Sequence, residues 1–203
     1  MKRKIRVAVF ISGGGTNLQS LIDSAADPEY PAEIALVVSS KRTAYGLERA
    51  KAASIPSKVL RKKDFDSDSQ FVSAAIELLH SHEIDVICLA GYLKLVPEEI
   101  VREFRHRILN IHPALLPDFG GEGMYGMRVH EAVLAARAKE SGPTVHFVDE
   151  IYDHGNILMQ SKVPVFEGDT PEKLQKRVLE AEHKLYPQAL KKLALDLITT
   201  PNS

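Results

Sequence analysis

The chain has 203 residues, 44% of them hydrophobic and 26% charged, with a formal net charge of −1 at pH 7. These values are typical of a globular protein with a full core, so we expect residues 1–203 to form a single domain. The balanced charge argues against a nucleic-acid-binding protein, and no apolar stretch is long enough to span a membrane. The basic N-terminus leads into only a short apolar run without a signal-peptide cleavage site, so we expect a cytoplasmic location.

Short apolar runs alternate with helical patterns through the first half of the chain. Strands that are apolar throughout are typical of a parallel sheet buried on both faces. The alternation therefore predicts a Rossmann-like, three-layer α/β fold with a mostly parallel sheet. The predicted strands are 5–11, 33–39, 57–60, 85–90 and 107–111, and the predicted helices are 17–25, 46–53, 68–82 and 97–104. Cys88, the single cysteine, lies in one of these apolar runs and is expected to be an inert core thiol.

The pattern changes after residue 112. Residues 118–126 are rich in glycine and are expected to lack regular structure. A helix is predicted at 127–138, followed by strands at 144–148 and 157–165 that are close enough to pair antiparallel. A long helix is predicted at 170–198, and Pro187 is expected to break or kink it.

Asn110 and His112 are the first candidates for chemistry. They lie two residues apart in a predicted strand, so their side chains point to the same face. Pro113 and Pro117 prevent a regular helix or central strand from following directly. A polar pair fixed in this way is typical of a catalytic site, although capping of the local backbone explains it equally well.

A glycine-rich loop between the first strand and the first helix is a candidate anion site. Gly13, Gly14 and Gly15 let backbone N–H groups approach an anion, while Thr16 and Asn17 add side-chain hydrogen bonds at the helix N-terminus. The loop matches neither a dinucleotide fingerprint nor a P-loop, so it favours a monophosphate or sugar phosphate. The alternative is a tight strand–helix turn.

Two further loops offer ligand contacts. Leu93, Leu95 and Val96 follow the carboxyl end of a predicted parallel strand, where α/β sheets bind ligands, although an ordinary connection fits as well. The loop 149–155 carries three acids and a histidine. A carboxylate beside His112 would raise the pKa of that histidine and fix its tautomer, but a solvated hairpin loop is the alternative.

The remaining histidines do not indicate a metal. The set His112, His146 and His154 lacks the spacing of a known metal motif, so no metal is expected. His146 alternates with apolar neighbours on a strand and faces either the site or solvent. His130 is expected at a surface or partly buried position of a helix.

Taken together, these segments resemble the phosphoribosylglycinamide formyltransferase family within the formyltransferase superfamily. The likeness covers nearly the whole chain. The stretch 110–117, Asn-x-His-Pro-x-Leu-Leu-Pro, is specific for the superfamily. The glycine loop and Glu182-His183 indicate this family within it. The matching segments are 12–17, 89–93, 110–117, 144–148, 153–155, 163–165, 168–170 and 182–187.

The resemblance implies transfer of a formyl group from 10-formyltetrahydrofolate, a co-substrate, to the amine of 5-phosphoribosylglycinamide in purine biosynthesis. It implies catalysis by Asn110, His112 and Asp153, with Asp153 holding His112 charged and oriented. The implied substrate-binding residues are Gly13, Gly15, Thr16, Asn17 and Glu182. The implied folate-binding residues are Leu93, Lys94, Leu95, Val96, Asn110, Asp149, Glu150 and Asp153.

The chain departs from the family pattern in two places. Many members carry an arginine near position 68, where this chain has Asp68, so phosphate charge is expected to be balanced by Lys62, Lys63 or the backbone alone. The segment 118–128 is longer and richer in glycine than in other members, and we expect it to border the site as a lid.

Three other functions remain compatible with the sequence. A 10-formyltetrahydrofolate hydrolase would be expected to carry an additional N-terminal domain, and a methionyl-tRNA formyltransferase a C-terminal RNA-binding domain with a basic surface. A non-catalytic folate or phosphate binder would not need Asn110, His112 and Asp153 together. The expected partners are small molecules, and the expected state is a monomer or a weak homodimer.

Overall fold

The apolar runs of the sequence form strands that lie side by side in one sheet, and the helical patterns between them form helices on both faces. The computed structural model describes residues 3–200. The strands are β1 (Ile5–Ile11), β2 (Ala32–Ser39), β3 (Ser57–Val59), β4 (Val86–Leu89), β5 (Ile108–His112), β6 (Glu140–Ser141), β7 (Thr144–Phe147), β8 (Ile157–Gln160) and β9 (Val163–Pro164). The helices are α1 (Thr16–Ala25), α2 (Gly46–Ala52), α3 (Asp68–Ser81), α4 (Glu98–Glu103), α5 (Met127–Ala135) and α6 (Pro171–Thr199), with a 3-10 turn at Lys62–Asp64.

The main sheet has seven strands in the order β3-β2-β1-β4-β5-β7-β8. The first five are parallel, whereas β7 runs antiparallel to β5 and β8 antiparallel to β7. This confirms the predicted mostly parallel sheet with an antiparallel C-terminal part. The carboxyl ends of β1, β4 and β5 meet at one edge, where open α/β sheets bind ligands.

Alternate residues of β1 enter two different apolar cores. Val7 and Val9 pack on one face with residues of α1 and α6, while Ala8 and Phe10 pack on the other with residues of α3 and α4. Both faces of the strand are therefore buried, which explains why its sequence is apolar throughout. Cys88 on β4 is fully buried, and burial raises the pKa of its thiol to about 12, as expected for an inert core residue.

Helix α6 continues through Pro187, so the predicted break is wrong. A proline in a helix removes one backbone hydrogen bond and crowds the preceding turn. Here the neighbouring residues Tyr186, Ala189 and Leu190 are fully buried against the sheet. This packing stabilises the helix on both sides of Pro187. The carbonyl oxygen of Pro187 accepts a hydrogen bond from the hydroxyl of Tyr30 at 2.6 Å.

The predicted strand at 157–165 is wrong beyond Gln160. The chain leaves the main sheet there, and β9 pairs with β6 in a separate two-stranded sheet. Gly142 permits this crossing, since a Cβ on it would lie 1.8 Å from the carbonyl oxygen of Ser161. Helix α5 also ends earlier than predicted, at Ala135. No helix within residues 3–200 is long and apolar enough to cross a membrane.

Tyr186 links α6 to the two strands that carry the candidate site. Its hydroxyl is buried and lies 3.0 Å from the carbonyl oxygen of Leu89 and 3.1 Å from that of Leu109. We predict that Tyr186→Phe lowers the free energy of unfolding by about 1–3 kcal/mol, because it leaves buried carbonyls without a donor. Urea denaturation measures this. Tyr125→Phe, at an exposed position, is the control, and an equal loss in both variants would contradict the assignment.

Candidate active site

The register between β5 and β7 brings the candidate catalytic side chains together. Asn110 is paired with His146, and His112 with Thr144, across the antiparallel ladder. Residues paired directly across a ladder project to the same face of the sheet. The strand ends therefore place an amide and two imidazoles on one side of the sheet edge. His112 and His146 are 3% and 2% exposed.

Asp153 reaches this cluster from the loop that joins β7 to β8. Its backbone has a φ of 53°, a left-handed conformation that aspartate tolerates better than most residues. Gly155 holds the loop against β7, because a Cβ there would lie 1.9 Å from the carbonyl oxygen of Phe147. This close approach keeps the loop beside β7, from which the Asp153 carboxylate reaches inward.

The carboxylate of Asp153 contacts every member of the cluster. Its Oδ2 lies 3.4 Å from Nδ1 of His112, and its Oδ1 lies 3.4 Å from Nε2 of His146 and 3.3 Å from Nδ2 of Asn110. The backbone N–H of Gly121 also donates to Oδ2, at 3.0 Å. The structure therefore brings together the three residues expected to be catalytic.

The sequence left open whether His146 faces the site or solvent, and the structure places it in the cluster. Its Nδ1 lies 2.8 Å from the carbonyl oxygen of Phe147, which can only accept, so Nδ1 carries a proton. Nε2 is then free to accept a hydrogen bond from Nδ2 of Asn110, 3.0 Å away. His146 thereby fixes the orientation of the Asn110 amide. It lies one residue before the end of β7, and the pairing of β7 with β5 decides which way it faces.

Asp153 acts on the His112 pKa in the expected direction, since its charge raises that pKa, but the net shift is downward. Burial, the larger cause, lowers the pKa of His112 below its ordinary value. Burial alone would raise the pKa of Asp153, but contacts with His146, His112 and the Gly121 N–H lower it below its usual value. The pair is therefore an ionised carboxylate beside an imidazole that favours its neutral form.

The glycine-rich segment lies directly on the catalytic pair. The carbonyl oxygen of Phe119 lies 2.8 Å from Nε2 of His112, and Gly121 donates to Asp153. Gly120 fits closely beneath them, because a Cβ there would lie 2.5 Å from Leu116 and 3.3 Å from Asp153. The segment borders the site and lacks regular structure, as predicted. In this conformation the backbone of the segment covers Nε2 of His112, the nitrogen that faces away from Asp153.

The turn after His112 is fixed by buried polar contacts. Thr144 Oγ1 donates to the carbonyl oxygen of Ala114 at 2.7 Å and accepts from the Leu116 N–H at 3.0 Å. Gln160 donates to the same hydroxyl and to the Leu116 carbonyl, and the Leu116–Pro117 bond is cis. These contacts set the direction in which His112 leaves the strand.

The candidate substrate residues also meet. Nδ2 of Asn17, at the start of α1, donates to Oε2 of Glu182 on α6 at 2.5 Å. Burial raises the pKa of Glu182 to about 7, although the bond from Asn17 acts in the opposite direction. Oδ1 of Asn17 is buried without a partner among residues 3–200. Gly13 and Gly15 lie in the loop between β1 and α1, and Thr16 is the first residue of α1, next to Asn17 in the sequence.

Lys62 and Lys63 do not lie at the glycine loop. Both line a cavity of about 750 Å³ whose wall also includes Arg61, Tyr92 and Lys94, and Lys62 is paired with Asp68 at 2.6 Å. None of the loop glycines lines this cavity. The two lysines are thus placed to meet a different part of a ligand from the one expected.

The two sets of candidate folate residues line separate cavities. Lys94, Leu95 and Val96 belong to the large cavity, and the Leu93 N–H donates to Ser12 Oγ at 2.9 Å. A cleft of about 180 Å³ is lined instead by the segment 147–150 and by 154–156, and Asp149 pairs there with His154 at 2.8 Å. Their assignment to folate stays a prediction.

Two expectations concern histidines and metals. His130 was expected at a surface or partly buried position, which is wrong, since this residue of α5 is 2% exposed. Burial, and then the charge of His112, lower its pKa to about 4. Within residues 3–200 no group of three or more potential ligands is arranged to hold a metal ion.

Comparisons with known proteins identify the family of the chain. A family model described as formyl transferase matches residues 5–190. The chloroplastic phosphoribosylglycinamide formyltransferase of Arabidopsis thaliana is 48% identical over 189 residues, which are 93% of this chain and 65% of that protein. The chain therefore spans less than two thirds of that relative's length.

Two bacterial proteins match over most of their own length. Phosphoribosylglycinamide formyltransferase of Haemophilus influenzae is 42% identical, covering 92% of this chain and 85% of that protein. The crystal structure of the enzyme of that name from Brucella melitensis superposes with a TM-score of 0.88 at 47% identity, over 95% of this chain and 96% of that one. With nearly its whole length matched by the family model and by these relatives, the chain belongs to the formyl transferase family.

Proposed function

We propose that the protein transfers the formyl group of 10-formyltetrahydrofolate to the amine of 5-phosphoribosylglycinamide, a step of purine biosynthesis. The observation that carries this proposal is the buried cluster of Asn110, His112 and Asp153 at the carboxyl edge of the sheet. The relatives named above support the choice of acceptor. A binder without catalysis would have no need to bury an ionised carboxylate against two histidines.

The reaction joins the amine nitrogen to the formyl carbon and breaks the bond from that carbon to N10 of the folate. The attacking amine loses a proton, and N10 gains one. Because burial lowers the pKa of His112, its neutral form is present at neutral pH and can accept the amine proton. The resulting imidazolium is stabilised by Asp153 and can return the proton to N10.

For this role, Nε2 of His112 must be free of the Phe119 carbonyl that now covers it. Nδ1 would then carry the proton toward Asp153, and Nε2 would offer its lone pair to the reacting groups. The amide of Asn110 would donate to the oxyanion of the tetrahedral intermediate, an effect worth about 3–4 kcal/mol in other enzymes. The glycine-rich segment would act as the lid that opens for the substrates.

The acceptor would bind between the glycine loop and α6. Gly13, Gly15 and Thr16 would hold its phosphate, with backbone N–H groups at a helix N-terminus as donors. The carboxyl of Glu182 and the unpartnered Oδ1 of Asn17 would accept hydrogen bonds from the ribose hydroxyls or the glycinamide end. The phosphate and the reacting amine would thus be held at opposite ends of one binding site.

The folate would lie along Leu93, Lys94, Leu95 and Val96, with Asp149, Glu150 and Asp153 on its other side. No metal takes part in this scheme. The cation-lined cavity around Lys62 and Lys94 offers a place for an anionic part of a ligand. We further propose a cytoplasmic protein that acts on small molecules, without nucleic acid or membrane, as a monomer or weak homodimer.

The decisive assay follows folate product with and without the acceptor. We expect tetrahydrofolate to form from 10-formyltetrahydrofolate only when glycinamide ribonucleotide is present, since the amine is the nucleophile. Mass spectrometry should find the formylated ribonucleotide in equal amount. Folate release without the acceptor would instead support a hydrolase, and binding without any product would support a non-catalytic module.

His146 provides a second test of the site. We predict that His146→Ala lowers kcat about a hundredfold with smaller changes in KM, because Asn110 loses the contact that orients its amide. Steady-state kinetics on both substrates measure this. His80→Ala is the matched control, since His80 on α3 is exposed and pairs with Glu103, which is not a candidate site residue. Equal rates for the wild type and His146→Ala would contradict the assigned role.

A further inference from the structure

The three carbonyl groups of the glycine loop are all held by hydrogen bonds. The carbonyl oxygen of Gly13 accepts from the N–H of Gly46 at 3.1 Å, and that of Gly15 accepts from the N–H of Gln19 at 2.9 Å. The carbonyl oxygen of Gly14 accepts from Nε of Arg49 at 2.9 Å. Two of these three contacts come from α2, so this short helix fixes the direction of the loop peptides.

The fixed carbonyls determine where the loop N–H groups point. In a trans peptide the C=O and the N–H of one unit point in opposite directions. Binding of the Gly13 and Gly14 carbonyls by α2 therefore turns the N–H groups of Gly14 and Gly15 away from that helix. Together with the N–H groups of Thr16 and Asn17, they donate to no acceptor within residues 3–200. No atom lies within 4 Å of a Cβ built on Gly13 or Gly14, so this side of the loop is open.

Arg49 is itself held in place. Its Nη1 donates to Oε1 of Gln19 at 3.1 Å, and its guanidinium lies 5.2 Å from the ring centroid of Tyr45. No carboxylate of the described chain forms an ion pair with it. A planar guanidinium with several fixed donors keeps its geometry better than a flexible ammonium would. Its positive charge thus stays unneutralised beside the open loop.

Two further groups at this place lack partners. Oδ1 of Asn17 is buried without a donor, and Asn17 is 9% exposed. Nε2 of His183 on α6 is also buried without a partner. Burial, and then the charge of Arg49, lower the pKa of His183. The free N–H groups and the unpartnered oxygen of Asn17, at the N-terminus of α1, are hydrogen-bonding groups that a phosphorylated sugar would use.

We propose that Arg49 is the positioning residue of the phosphate site: it orients the glycine loop through Gly14 and supplies the positive charge expected from Lys62 or Lys63. This inference rests on the proposed function for the identity of the phosphorylated substrate. Arg49 acts through the loop and need not touch the phosphate itself. Its loss should therefore weaken binding of the phosphorylated substrate and leave the formyl-transfer step largely intact.

The test compares Arg49→Gln and Arg49→Lys with the control Lys51→Gln, an exposed cation on the same helix. We expect KM for glycinamide ribonucleotide to rise about tenfold or more in Arg49→Gln, while kcat and KM for 10-formyltetrahydrofolate change little. Arg49→Lys keeps the charge but loses the fixed Nε donor, so it should fall between Arg49→Gln and the wild type. Lys51→Gln should match the wild type.

Ribose 5-phosphate binding, measured by calorimetry on the same proteins, separates this inference from the proposed function. Weaker binding in Arg49→Gln at an unchanged melting temperature supports the inference, even if the wild type shows no transferase activity. An active wild type, with unchanged KM and unchanged ribose 5-phosphate binding in Arg49→Gln, would overturn it. Parallel loss of folate affinity and thermal stability in both Arg49 variants would also overturn it, because that result indicates a purely structural role.

Discussion

The carboxylate of Asp153 is largely buried, and a buried charge is stable only when hydrogen bonds and opposite charges surround it. Asn110, His112 and the backbone of Gly121 provide those contacts. The first two come from β5 and the third from the glycine-rich segment, while Asp153 itself follows β7. The requirement to hydrogen-bond one buried carboxylate therefore fixes the end of the sheet, the loop after β7 and the glycine-rich segment relative to one another.

The same carboxylate explains why His112 can work as a base. Burial favours the neutral imidazole, while Asp153 limits how far the pKa falls and stabilises the imidazolium once it forms. A histidine with a pKa held high would be protonated before the amine arrives. A buried histidine without the carboxylate would resist protonation altogether. The observed balance suits a group that takes a proton and gives it back within one reaction.

Much of the fold could be predicted from the sequence because the strands of a parallel sheet are apolar throughout. β1 was predicted with its observed ends, and the glycine loop, Asn110 and His112 were located correctly at the carboxyl edge. The two-residue strand β6 was missed, since it is too short to show an alternating pattern, and β9 was predicted as a continuation of β8. The long helix α6 was predicted, but its continuity through Pro187 was not, because the packing around that residue depends on distant strands.

Most residues of the candidate site could be predicted from the sequence, but the direction of the His112 pKa shift could not. Local sequence suggested that Asp153 would raise the His112 pKa, yet the degree of burial, which decides the sign, exists only in the folded chain. The direction of His146 stayed open between the site and solvent because it depends on the register between β5 and β7. Arg49 was overlooked for a related reason, since α2 meets the glycine loop only through the tertiary fold.

The central claim is that an ionised Asp153 faces a His112 whose pKa is lowered by burial. NMR titration of the histidine ring resonances tests it directly, in the wild type, Asp153→Asn and the control Asp149→Asn. We expect His112 to titrate below its ordinary pKa of about 6.5 in the wild type. Its pKa should be lower still in Asp153→Asn, because a charge that favours the imidazolium is lost, and unchanged in Asp149→Asn. A wild-type pKa above the ordinary value, or a higher pKa in Asp153→Asn, would contradict the account.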